Sequence, residues 1–145
     1  MSSENPSKSP RTIYLVKRAE TAIRSGLESC LQSLSITPAQ YVTLSLLSEK
    51  DDQSSAELAR KAGITPQSMS ETISMLLKKE LISRTENPGH RRILSARLTD
   101  AGAALLKQCD ENVDALEASI LGGIPAADMD IFRHLLRKIA AMDRH

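Results

Sequence analysis

The sequence predicts a mainly α-helical chain that contains one small β-hairpin. Three observations carry this prediction. Apolar residues recur at helical spacing in six segments, typical N-cap residues precede four of these segments, and one short stretch alternates between apolar and polar residues. None of the 145 residues lies in an apolar run of the roughly 18–20 residues that a membrane-spanning helix needs.

Two helices are predicted in the first part of the chain. The second begins after Thr37, because Thr37 is a good N-cap, Pro38 suits the first helical position and Gln40 completes a capping box. Residues 1–10 are polar, so we expect a short disordered arm without a secretory signal. The first helix begins near Arg11, and its apolar stripe consists of Ile13, Val16, Ala19, Ile23, Leu27 and Leu31.

The next two helices are predicted to form a helix-turn-helix. A short helix follows a Ser54–Glu57 capping box, and a second helix begins after Thr65 and runs to about Glu80. The pattern Ala59-x-x-x-Gly63-x-x-x-x-x-Met69 supports close crossing of the two, since Ala is small, Gly permits a sharp turn and Met fills the space between helices. The same spacing also occurs in helical corners that do not bind DNA.

A β-hairpin is predicted between residues 81 and 99. Residues 94–98 alternate between apolar and polar side chains, and Asn87-Pro88-Gly89 is a strong turn signal. We therefore expect strands near Ile82–Thr85 and Ile93–Leu98.

Two more helices are predicted after the hairpin. Thr99 caps a long helix that begins at Asp100, residues 122–125 break the chain, and the last helix begins near Ala126. The first and the last helices of the chain carry apolar stripes that one small domain cannot cover. We therefore expect them to pack against a second copy of the chain.

The charge distribution indicates a basic central region. The whole chain has a formal net charge of only +1, whereas residues 60–99 carry eight basic and three acidic side chains. A phosphate-binding face would produce this pattern, and so would a solvated basic helix face. Cys30 and Cys109 form no CxxC pair, which predicts reduced thiols and a cytoplasmic location.

Eleven residues are predicted to contact double-stranded DNA. Short hydrogen-bonding side chains at the start of a helix can reach base edges and phosphates in the major groove, and arginine at a hairpin tip suits a narrow minor groove. The candidates on the second helix of the helix-turn-helix are Thr65, Pro66, Gln67, Ser68, Ser70, Glu71 and Thr72, and those on the hairpin are Arg84, His90, Arg91 and Arg92. For the hairpin arginines, the alternative is a solvated tip.

The run from Ser54 to Gly102 resembles the DNA-binding domain of the multiple antibiotic resistance regulator (MarR) family. The matching segments are Ala56-Glu57-Leu58-Ala59, Gly63-Ile64-Thr65, Leu76-x-x-x-x-Leu81-Ile82-x-Arg84 and Arg91-Arg92-x-x-x-x-x-Leu98-Thr99-x-x-Gly102. The resemblance implies a winged helix-turn-helix domain over residues 37–99. Residues 11–36 and 100–145 would then form a helical dimerisation region.

Two positions depart from the family pattern. The family usually has Asp immediately before the hairpin arginines, where this chain has His90, and neutral His would orient an arginine less well. The family often has Gly before the position of Leu81, where this chain has Glu80. Since Glu adopts a left-handed conformation poorly, we expect the end of that helix to differ.

The resemblance further implies a homodimeric transcription regulator, usually a repressor, that a small aromatic or phenolic effector or an oxidant releases from a pseudo-palindromic operator. Tyr14 and Tyr41 are candidates for an effector crevice, although core packing is an alternative for both. Cys30 is a candidate redox sensor, whereas Cys109 is expected in the core.

Other classes of function receive less support. A winged-helix module that binds proteins and not DNA is the alternative, and the basic central region argues against it. No nucleophile–base pair, glycine-rich phosphate loop or metal-ligand spacing is present, so we predict no enzyme activity, no cofactor, no metal site and no membrane partner.

Overall fold

The computed structural model describes residues 9–87 and 90–142, and describes only the backbone of residues 86–87 and 90–94. The predicted arm at residues 1–10 and the Pro88-Gly89 turn therefore lie largely outside the described residues. The elements in chain order are α1 (Thr12–Gln32), α2 (Pro38–Glu49), β1 (Gln53–Ser54), α3 (Ser55–Ala62), α4 (Pro66–Lys78), β2 (Ile82–Asn87), β3 (His90–Leu98), α5 (Asp100–Leu121) and α6 (Ala126–Ala140). The predicted mainly α-helical fold with a hairpin is confirmed.

Four helices begin at the N-cap residues that the sequence predicts. Thr37 and Gln40 form the full capping box of α2, and the hydroxyl groups of Thr65 and Thr99 accept backbone N–H groups at the starts of α4 and α5. Ser54 accepts the Glu57 N–H at 3.2 Å, but the reciprocal contact is to the Ser54 hydroxyl and not to its backbone. Local side-chain bonds therefore determine these helix starts.

The core lies where α2, α3 and α4 meet the sheet, the end of α1 and the first half of α5. Leucines from α1, α2, α3 and α4 are almost completely buried there, together with Met69. The fully or nearly fully buried apolar side chains are Leu31, Leu44, Leu47, Leu58, Met69, Leu76 and Cys109. This burial fixes the relative orientation of the helices that carry the predicted contacts.

The sheet has three strands in the order β1-β3-β2, with both pairs antiparallel. The sequence prediction missed β1, and it made the other two strands too short. Strand β1 exists because Gln53 pairs with Ala96, and the Gln53 amide group donates to the carbonyl oxygens of Leu46 and Lys50 at 2.7 Å. The Gln53 Oε1 atom accepts Lys61 Nζ at 2.7 Å, so this buried amide is fully satisfied.

The end of α4 differs from the expectation at Glu80. Glu80 adopts φ 59°, the Glu80 N–H donates to Leu77 O, and the Leu81 N–H donates to Leu76 O. These two bonds are those of a Schellman motif, so the helix ends as it would with glycine. The prediction of an altered helix end is therefore wrong, because the capping bonds compensate the left-handed conformation.

The first turn of α5 packs closely against the backbone at Leu81, and this explains why glycine occupies position 102. The Thr99 N–H donates to Leu81 O at 3.1 Å, and its hydroxyl donates to Glu80 O at 2.8 Å. A Cβ atom on Gly102 would lie 2.0 Å from Leu81 O. Helix α5 thus begins against the backbone that joins α4 to β2, at a distance that only glycine allows.

Candidate nucleic-acid interface

The turn between α3 and α4 has the predicted helix-turn-helix geometry. Gly63 caps α3 in the left-handed region at φ 68°, and its N–H donates to Arg60 O at 3.3 Å. Ala59 is buried, and Met69 is completely buried, with its Sδ atom 3.6 Å from the donating hydroxyl of Thr43 on α2. A Cβ atom on Gly63 would meet nothing within 4 Å, so glycine is favoured there by conformation and not by space.

Helix α4 presents a polar face to solvent. At its start, Thr65 and Ser68 are bonded to each other, with 2.9 Å between the two hydroxyl oxygens. Four exposed residues at helical spacing lie on one side of this helix. We call them the α4 face, and they are Gln67, Ser70, Glu71 and Ser74. Pro66 and Lys78 are also exposed. Sequence reasoning missed Ser74, although it lies four residues after Ser70.

Thr72 does not belong to the exposed part of α4. Its side chain is buried, and its hydroxyl donates to Ser68 O at 2.9 Å. The expectation that it is an exposed contact residue is therefore corrected. The rotation of α4 places Thr72 beside the buried Met69 and Ile73, on the side of the helix that packs against the core.

The hairpin carries the other predicted contacts. Arg84 on β2 is exposed and pairs in register with Ala96. His90, Arg91 and Arg92 lie at the start of β3, and their side chains lie outside the described residues. The hairpin has a register shift between Glu86 and Asn87, just before the turn.

Asp52 binds both strands of the hairpin, a contact that sequence reasoning missed. Its Oδ1 atom accepts the Thr85 hydroxyl of β2 at 3.1 Å and Arg97 Nε of β3 at 3.3 Å, and its Oδ2 atom accepts Arg97 Nη2. We call this group the Asp52 clamp. The hydrogen bonds from Arg97 and Thr85 hold the pKa of the Asp52 carboxyl below its usual value. No local pattern signals a contact between residues 45 positions apart.

The two candidate effector residues lie in different surroundings. The Tyr41 hydroxyl donates to Asp110 Oδ1 at 2.6 Å and thereby joins α2 to α5. Burial raises the pKa of this hydroxyl, and the bond to Asp110 raises it further. Tyr14 is exposed and lines a shallow groove on α1 with Lys17, Arg18, Thr21, Ala22 and Ser25. Within one chain, therefore, Tyr41 is a bonded packing residue and Tyr14 lies on an open surface.

The cysteines differ in exposure. Cys30 is half-buried, and its Sγ atom donates to Leu27 O at 3.5 Å. Cys109 is completely buried, as expected, and burial raises the pKa of its thiol. Across residues 9–87 and 90–142, no cluster of three His, Cys, Asp or Glu side chains is arranged to hold a metal ion. The described helices include none long and apolar enough to cross a membrane.

A second surface is apolar and open. In the single chain, α6 has no buried residue, and the N-terminal half of α1 is exposed. Ile13 is 83% exposed, and Ile131 is 59% exposed. The exposed large apolar residues of these two helices are Ile13, Tyr14, Leu15, Val16, Ile23, Ile131, Phe132, Leu135, Leu136 and Ile139.

The known proteins that are similar to this chain belong to one family of transcription regulators. A family model described as the MarR family matches residues 36–94. The HTH-type transcriptional repressor Rv2887 of Mycobacterium tuberculosis is 33% identical over 128 residues, which cover 88% of this chain and 92% of the relative. Its structure in complex with salicylic acid is 32% identical with a TM-score of 0.74, covering 91% of this chain and 98% of that one.

A further match is the transcriptional repressor CouR. CouR of Rhodococcus jostii RHA1 bound to p-coumaroyl-CoA has a TM-score of 0.82 at 22% identity, covering 91% of this chain and 93% of that one. CouR bound to a 23-mer DNA duplex has a TM-score of 0.80 at 27% identity, covering 90% and 92%. The shared fold includes both the helix-turn-helix and the terminal helices.

Proposed function

Because this chain belongs to the MarR family, we propose that it is a DNA-binding transcriptional repressor that acts as a homodimer and is released from its operator by a small aromatic ligand. The observation that carries the proposal is the polar α4 face, held by a buried helix-turn-helix core beside a three-stranded sheet. CouR, which has this fold, is known bound to a DNA duplex. A transcription regulator of this kind works in the cytoplasm.

The α4 face suits a major groove, and the hairpin suits the neighbouring minor groove. Gln67 and Ser70 offer hydrogen-bond donors and acceptors to base edges, while Thr65 and Pro66 place the free N–H groups of the helix start toward phosphate. Exposed Arg84 adds a phosphate contact. The hairpin arginines Arg91 and Arg92, with His90 before them, supply positive charge to the minor groove.

The apolar surfaces of α1 and α6 support the homodimer. A second copy of the chain would cover both surfaces through an isologous contact and remove exposed apolar area from water. Two-fold symmetry would then place the two α4 faces on the half-sites of a pseudo-palindromic operator. Residues 11–36 and 100–145 form the dimerisation region in this proposal, and residues 37–99 form the DNA-binding domain.

The effector is proposed from the relatives. Rv2887 is known in complex with salicylic acid, and CouR in complex with p-coumaroyl-CoA. The Tyr41–Asp110 bond joins the proposed DNA-binding domain to α5, so a ligand that binds there would act on the link between the two parts. An oxidant acting at Cys30 is the second candidate signal, since this residue is only half-buried.

The test begins by selecting a duplex from a random library with the wild-type protein. We expect binding that weakens steeply with salt. An Arg91→Ala/Arg92→Ala variant removes four arginines from the homodimer, so it should lower the slope of log K against log salt by about 3.6. The matched control is Lys17→Ala/Arg18→Ala on α1, which removes the same charge and should leave the slope within about 0.5 of wild type.

The outcomes separate the candidate functions. If the wild type selects no duplex, the repressor proposal is wrong and the protein-binding module is favoured. If the hairpin and α1 variants lose equal slope, the hairpin assignment is wrong. Adding salicylate or hydrogen peroxide to the preformed complex then shows which signal releases it.

A further inference from the structure

The Asp52 clamp spans the regular part of the hairpin, from near its base to near its tip. Arg97 pairs with Ser83, and Thr85 pairs with Ser95. One more regular pair, Glu86 with Leu94, precedes the register shift, and beyond the shift Asn87 pairs with His90. Because Asp52 comes from the segment between α2 and β1, it connects the hairpin to the body of the domain across the face of the sheet.

The backbone at Asp52 supports a specific role for its side chain. Asp52 adopts φ 59°, a left-handed conformation that costs free energy in residues other than glycine. Asp is among the residues that tolerate this region best. The conformation persists together with three hydrogen bonds from two strands, so the segment is held in the geometry that places the carboxylate over Thr85 and Arg97.

We infer that Asp52 is a positioning residue for DNA binding, which holds the hairpin at a fixed angle so that Arg91 and Arg92 reach DNA together with the α4 face. It acts through Arg97 and Thr85 and touches no DNA itself. This inference rests on the proposed function. The two donors of the Arg97 guanidinium define an orientation that a single-point contact would not.

The positioning role and a simple charge effect predict opposite changes in DNA affinity when the Asp52 carboxylate is removed. DNA is a polyanion, so removing a carboxylate close to a DNA-binding surface strengthens binding if the carboxylate acts by charge alone. If Asp52 holds the hairpin, its removal weakens binding despite the gain in positive charge. Asp52→Asn separates the two, because Asn also tolerates the left-handed conformation and has the same shape.

The experiment measures affinity for the duplex that the wild-type protein selects from a random library. We expect Asp52→Asn to bind two- to fivefold more weakly, the range typical of exposed paired charges. Arg97→Lys keeps the charge but loses the planar two-point contact, so the same loss is expected. The double variant should be no weaker than the weaker single variant, since both changes break one contact.

Asp51→Asn is the matched control. It removes the same charge from the exposed neighbouring residue, which takes no part in the Asp52 clamp. It should bind DNA no more weakly than the wild type does. Equal or tighter binding by Asp52→Asn, or unchanged binding by Arg97→Lys, would overturn the inference.

A second measurement needs no DNA. Hydrogen exchange of the β2 and β3 amides should be faster in Asp52→Asn than in the wild type, while the amides of α2 and α3 exchange as before. Unchanged hairpin exchange overturns the positioning role even if DNA binding falls. If the wild type selects no duplex, the proposed function fails, and hydrogen exchange still decides whether Asp52 holds the hairpin.

Discussion

Replacing Gly102 with alanine should destabilise the protein through one backbone contact. The new Cβ atom would lie 2.0 Å from Leu81 O and 3.1 Å from a methyl group of Leu98. A carbon and a carbonyl oxygen normally stay about 3.3 Å apart, so the two must separate by roughly 1 Å. Leu81 O cannot move freely, because it accepts the Thr99 N–H at 3.1 Å.

The magnitude follows from the bonds that would be disturbed. Loss of the bond from Thr99 to Leu81 costs about 1 kcal/mol, and a weakened Thr99 cap costs about 1 kcal/mol. Displacing the packed Leu81 and Leu98 adds about 1–3 kcal/mol, as overpacking does in other cores. The better helix propensity of alanine returns about 1 kcal/mol. We therefore expect a net loss of about 2–4 kcal/mol.

The assay is urea unfolding at one fixed protein concentration, because dimerisation makes the apparent stability depend on concentration. Gly123→Ala is the matched control. A Cβ atom there would meet nothing within 4 Å, and its φ lies outside the left-handed region, so this variant should be slightly more stable than wild type. A Gly102→Ala variant as stable as Gly123→Ala would refute the reasoning.

Three other changes test separate features. Glu80→Gly should stabilise the protein by about 0.5–1 kcal/mol in urea unfolding, because glycine adopts the left-handed region without strain. Glu71→Gln should strengthen binding to random duplex DNA and relax any preference for cytosine, because it removes an acidic acceptor from the α4 face. Lowering the pH should cost less stability in Asp52→Asn than in wild type. The pKa of Asp52 is lower in the folded protein than its value of about 3.9 in the unfolded chain, so the ionised carboxylate stabilises the fold above that pH. This contribution is lost as the pH falls through the pKa of the folded protein.

Each of these three predictions can be contradicted by a specific result. Glu111→Gly, in the exposed middle of α5, should destabilise, so a loss of stability in Glu80→Gly of the same size would show that Glu80 is not strained. Unchanged affinity and base preference in Glu71→Gln would place Glu71 away from DNA. Parallel acid unfolding curves for Asp52→Asn and wild type would exclude a stabilising role for the ionised clamp.

Local signals in the sequence were enough to predict the helix starts. Thr37, Ser54, Thr65 and Thr99 each bind an N–H within three residues, so the pattern and the contact lie together in the chain. The helix-turn-helix was predictable for the same reason, since Gly63 closes a turn with Arg60.

Features that depend on distant residues could not be predicted in this way. Strand β1 has two residues and exists only through pairing with β3. The Asp52–Arg97 pair likewise depends on how the sheet closes. The burial of Thr72 is a different case. Thr72 lies three residues after Met69 and four before Leu76, so its spacing is that of a buried residue, and its hydroxyl group misled the sequence-based prediction.

Helix α6 has no buried residue within one chain, and this affects how operator occupancy depends on the amount of protein in a cell. An isolated amphipathic helix of 15 residues is marginal in water, so its order has to come from assembly. Occupancy of an operator by such a protein varies more steeply than linearly with the number of copies in a cell wherever free monomer is present, because two copies must assemble to bind one site. A truncated copy that retains α6 but cannot bind DNA would therefore act as a dominant inhibitor by forming mixed pairs.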